Sequence, residues 1–72
     1  MTNKIEYKHL IRKYTEFFVY DEFPWTISEI VDEMVAYIDD PDFTDFSEKE
    51  FRKFAHRVAA HYVDVVYKGK EL

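Results

Sequence analysis

No cysteine occurs in the chain, so disulfides and zinc–thiolate sites are excluded and no oxidising compartment is required. Glycine is almost as scarce: Gly69 is the only one, which removes the glycine-rich loops that cradle phosphates in P-loop and dinucleotide-binding folds. Glutamine is absent and Asn3 is the only asparagine, so the side chains that pair best with adenine edges are nearly missing. No uninterrupted apolar run approaches the roughly 20 residues of a membrane span. No apolar segment of the signal-peptide kind follows Met1, so residence in the cytoplasm is the expectation. The last absence is one of charge: no lysine or arginine lies between Lys13 and Lys49.

What is present suits a small globular domain. Apolar residues make up 47% of the 72 positions and charged residues 35%, a soluble and ordered composition. A chain this short buries a modest share of its surface and needs a rich core. Seven Phe, six Tyr and one Trp supply it, since each aromatic ring covers a large area. The net charge of −5 is unevenly spread. Lys4, Lys8, Arg12 and Lys13 face only Glu6 in the first fifteen residues. Residues 16–48 carry eleven acids and no base, and residues 49–72 return to a basic excess.

Hydrophobic spacing predicts three helices, over about 4–19, 26–40 and 47–67. In the first, Asn3 and Glu6 form a possible capping pair, and Tyr7, Leu10, Ile11, Tyr14, Phe17 and Phe18 make the apolar stripe. In the second, Ile27, Ile30, Val31, Met34, Val35 and Ile38 recur at helical spacing, with Glu29, Asp32, Glu33, Asp39 and Asp40 on the other side. Its start is written in WTISEI: Thr26 and Glu29 form a capping box, and Trp25 and Ile30 sit at the staple positions. Pro41 ends it. The same device recurs in FSEKEF, with Ser47 and Glu50 as the box and Phe46 and Phe51 as the staple. The third helix presents Phe51, Phe54, Ala55, Val58, Ala59, Tyr62, Val65 and Val66 on one face, and Gly69 is placed to terminate it. Three amphipathic helices with short links predict one all-α domain, a three-helix bundle spanning residues 1–72. A short strand over 17–23 would lack a partner and is set aside.

Chemistry finds few footholds. His56 and His61 are five apart and do not share a helix face, whereas metal-binding pairs use spacings of three or four. Asp39, Asp40, Asp42 and Asp45 match a calcium loop in composition only, since no register supplies both the turn glycine and the terminal glutamate. Glu29, Asp32 and Glu33 fall on a wet face, where nothing shifts a carboxyl toward acid–base work. The expectation is a protein without catalytic residues, metal or cofactor.

Two charged faces remain as candidates for partners. The acidic face of helix 2, Glu29, Asp32, Glu33, Asp39 and Asp40, with Tyr20 and Phe23 as apolar anchors in the preceding link, suits a basic protein partner in an interaction or regulatory role. Lys49, Arg52, Lys53 and Arg57 share one arc of helix 3 and are the alternative, contacts to a nucleic acid. A sequence pI near 5.0 and a link of about six residues before that helix count against the second reading. A homodimer pairing acidic with basic faces is a third reading. The plainest account is internal: acidic helix 2 between basic helices 1 and 3, joined to both by rim ion pairs.

Overall fold

The computed structural model describes residues 4–21 and 24–72, with side chains from Lys8 onward. The chain forms α1 (Lys4–Val19), α2 (Ile27–Met34) and α3 (Glu48–Tyr67), with short 3-10 turns at Val35–Tyr37 and Pro41–Phe43. Three helices and no strand among the described residues make this the expected all-α bundle. The proposed Asn3 cap and Phe23 lie outside the described residues.

Both helix starts have the local chemistry written in the sequence. Thr26 Oγ1 accepts the Glu29 N–H at 3.2 Å, and Glu29 Oε1 accepts the Thr26 N–H at 3.0 Å. Ser47 and Glu50 repeat the exchange at 3.1 Å in each direction. Each box satisfies orphan donors of a first turn. Trp25 does more than staple: its ring stands edge-on to Phe18 with centroids 5.0 Å apart, and its backbone N–H donates to the Tyr62 hydroxyl at 3.1 Å. The link is thereby tied to α1 and α3 together.

Helix 2 is shorter than the expected 26–40. Regular α-helical bonding stops at Met34, and bonds spanning three residues take over, from Ile38 to Val35 and from Asp40 to Tyr37. Pro41 requires an extended residue before it, and Asp40 has ψ 146°. The chain therefore unwinds through tight turns and does not stop abruptly at the proline. The tightening places Tyr37 against α1, with ring centroids 5.6 Å from Tyr14 and 5.9 Å from Phe17.

The central element is α3. Both α1 and α2 pack along it. Phe51, Phe54, Ala55, Val58, Ala59 and Tyr62 of α3 are buried, along with Tyr14 and Phe18 of α1 and Ile30 and Met34 of α2. Phe43, in the link that follows Pro41, is also buried. Its ring meets Phe51 at 4.8 Å, Tyr14 at 5.0 Å, Phe54 at 5.1 Å and Phe46 at 5.3 Å, mostly edge to face. Thr15 is buried as well; its hydroxyl donates to the Ile11 carbonyl at 2.6 Å, the satisfied state that burial demands.

The apolar stripes are wider than the contacts they make. On α2 only Ile30 and Met34 are fully covered, while Ile27 is exposed, as are Val35 and Ile38 in the turns that follow the helix. A two-turn helix resting on one neighbour buries a strip one residue wide per turn. Phe17 on α1 and Val66 at the end of α3 are exposed for a related reason, since each lies at the margin of its helix's contact. At the C-terminal end Gly69 adopts φ +71°, and the turn lets the Lys70 N–H donate to the Asp64 carbonyl at 3.0 Å.

Candidate interaction faces

The acidic residues separate into two groups. Asp40 and Asp42 are drawn inward: the Tyr14 hydroxyl lies 3.0 Å from Asp40 Oδ2 and 3.0 Å from Asp42 Oδ2. Lys13 Nζ bonds Asp42 at 2.7 Å and stands 5.4 Å from the Tyr14 ring centroid. Burial, reinforced by both carboxylates, raises the Tyr14 phenol well above its usual range. The Lys13 bond, then that of Tyr14, holds the Asp42 carboxyl below its usual range. Asp40 therefore leaves the expected partner-facing set, and residues 40–42 are a clasp between the second link and α1.

The second group stays outside. Asp32, Glu33 and Asp39 are exposed, and among the described residues none of them joins an ion pair. Glu29 is exposed too, although its carboxylate is committed to the cap. The expected arrangement with acidic α2 between two basic helices is not formed: α3, not α2, is the middle helix. No ion pair links α2 to α1 or to α3 among the described residues. Asp32 does share a hollow of about 200 Å³ with Arg52 and His56, floored by Val31, Phe51 and Ala55. Exposed Val35 and Ile38 stand beside the acids, an apolar component that the expected site lacked. Tyr20, one of the expected anchors, is 73% exposed.

On α3 the basic arc is as expected: Lys49, Arg52, Lys53 and Arg57 are all exposed. Arg52 lies 3.5 Å from Glu48 one turn away, a surface pair of small worth. Of the histidines, His56 is exposed and His61 sits at the boundary, with Nε2 3.1 Å from the Leu72 carbonyl oxygen. Lys68 and Lys70, just past the end of α3, converge on Asp64 at 3.4 and 3.6 Å. Partial burial disfavours the Asp64 charge, but the two lysines outweigh it and the carboxyl lies below its usual range. Among the described residues no group of three His, Asp or Glu side chains is arranged to hold a metal ion. No described helix is long and apolar enough to cross a membrane. The chain matches no protein-family model, no curated protein and no solved structure.

The sequence signal that locates these faces is partial. Charge and periodicity give the exposed acids of α2 and the bases of α3. The apolar residues beside them could be suspected only from an apolar arc too wide for an eight-residue helix to bury.

Proposed function

We propose that this protein is a non-enzymatic interaction module that docks a basic protein partner on the outer face of α2 and of the turns that follow it. Asp32, Glu33 and Asp39 supply the charge, and Val35 and Ile38 the apolar contact. The observation that supports this reading is that Asp32, Glu33 and Asp39 are exposed and, among the described residues, none of them joins an ion pair. Surplus charge of one sign steers an oppositely charged protein and sets its orientation, and adjacent apolar side chains supply the area that charge alone does not.

The test compares the wild-type chain with a variant carrying Asp32→Asn, Glu33→Gln and Asp39→Asn, both immobilised and exposed to source-cell lysate. Glu29 is left intact because its loss would weaken the helix start. The expected outcome is a basic protein retained by the wild type, released at moderate salt, and not retained by the variant at unchanged helicity. Retention by both chains removes α2 from the role. A second reading, nucleic-acid binding through Lys49, Arg52, Lys53 and Arg57, is favoured by one observation, the exposure of all four on a single arc. It requires retardation of duplex DNA at low salt that fades steeply as salt rises.

A further inference from the structure

We propose that the hollow at the seam of α2 and α3 holds the anchor of the docked partner: one apolar side chain of about phenyl size, with a lysine or arginine beside it. This rests on the docking reading above and names the chemistry of the segment that the face takes. The hollow has a volume of about 200 Å³. Val31, Phe51 and Ala55 form its floor, with Asp32 on the α2 side and Arg52 and His56 on the α3 side. Val35, in the turn after α2, completes the lining.

Three observations select the occupant. The first is size. Small-molecule sites run to about 300–1,000 Å³, whereas a cavity of about 150 Å³ takes one benzene ring. The hollow therefore suits a single side chain and not a whole ligand. The second is the lining. Phe51 and Ala55 are buried and Val31 is half-buried, whereas Val35 is exposed. Val35 is thus the wall that an incoming ring covers, and it belongs to the docking face as well. The third is charge. Arg52 lies 3.5 Å from Glu48, while no ion pair reaches Asp32 among the described residues. The uncompensated carboxylate beside an apolar floor selects an apolar group with a cation next to it. Aromatic and basic side chains seated in pockets of this kind supply most of the binding energy of an interface. His56, exposed on the α3 side, is the competing base, and an anionic probe tests for it.

The experiment titrates 2-phenylethylammonium chloride into the full chain at constant ionic strength and follows the methyl signals of Val31 and Val35 by NMR. 2-Phenylethanol supplies the same body without charge, ethylammonium the charge without the ring, and 3-phenylpropionate the opposite charge. Saturable shifts with a dissociation constant of about 10 mM are expected for the aryl ammonium, a value suited to a probe of so few atoms. 2-Phenylethanol should bind about two- to fivefold more weakly, the share of one exposed charge pair. 3-Phenylpropionate should be weaker still, and ethylammonium should not saturate. Asp32→Asn should reduce the ammonium to the level of the alcohol and leave the alcohol unchanged. Val35→Trp fills the hollow from its exposed wall with every charge in place, and should abolish the Val31 shifts at an unchanged melting profile. Shifts that do not saturate, tighter binding of 3-phenylpropionate than of the ammonium, or full binding by a folded Val35→Trp chain would each overturn the assignment. In the lysate assay, equal retention of one protein by the wild type and by Val35→Trp strikes the anchor alone. Its retention by the variant neutralised at Asp32, Glu33 and Asp39 strikes the acidic face and the anchor with it.

Discussion

Tyr14 carries one hydroxyl proton, and two carboxylates face it at equal distance. The proton can serve only one of them at a time, and Lys13 balances the other charge at Asp42. Tyr14→Phe keeps the ring contacts with Phe43 and Phe54 and removes the shared bond. The expected cost is about 1.5 kcal/mol, the low end for a charged acceptor because the carboxylates keep some contact with water. Urea unfolding at neutral pH measures it. The two pKa displacements give opposite pH limbs. Tyr14 is raised in the folded state, so its contribution is complete below its ordinary value of 10.0 and is lost as pH climbs beyond it. Asp42 is lowered, so its contribution is complete above its ordinary value of 3.8 and is lost as pH falls through the folded value. Asp42→Asn should therefore destabilise the protein at neutral pH while flattening the acid limb that begins as pH falls below the ordinary value of 3.8. An acid limb as steep in the variant as in the wild type would show that the Lys13–Asp42–Tyr14 clasp contributes nothing in solution.

Among the elements, the two capping boxes are alike in geometry but serve helices of unequal length. Thr26→Ala and Ser47→Ala should each cost about 1 kcal/mol, and their effects should add because the caps share no partner. The helicity lost should differ, since α2 has eight residues and α3 has twenty. Circular dichroism should show a larger fractional loss within α2, whose short length leaves it less able to re-form from its interior. Gly69→Ala meets no steric obstacle, as nothing lies within 4 Å of the added carbon, yet φ +71° disfavours it by about 1 kcal/mol. Its expected signature is local: loss of the His61–Leu72 contact in NMR spectra with little change in melting. These elements were legible in the sequence to the extent that their causes are local. WTISEI and FSEKEF specify their own first turns, and Gly69 its own turn. The end of α2 was not legible, because Pro41 fixes only Asp40 and leaves open how the preceding turns unwind. The Tyr14–Asp40–Asp42 clasp was not legible either, since its partners are 26 and 28 positions apart and meet only through packing.

Over the whole molecule, α3 supports both other helices, and this decides how substitutions distribute their effects. A chain of this size is stable by about 4–11 kcal/mol in total. Phe54 is fully buried and touches the rings of Tyr14, Phe43 and Phe46, so it joins α1 to the 40–46 link through α3. Phe54→Ala should cost about 3–5 kcal/mol, enough to leave the chain near its unfolding threshold. Along α2 and the turn after it the contrast is sharper, because helical periodicity alone makes Ile30 and Val35 equivalent members of one stripe. The packing does not: Ile30 is 0% exposed and Val35 is 58% exposed. Ile30→Ala should cost about 2–4 kcal/mol, whereas Val35→Ala should fall within about 0.5 kcal/mol of the wild type. Equal losses at the two positions would mean that α2 is covered on both sides, by another molecule or by a second copy of the chain. Solution mass measured alongside the melts separates those cases: a monomer whose Val35 substitution is neutral leaves that side of α2 open for a partner, and a dimer weakened by Val35→Ala places the covering surface in the chain itself.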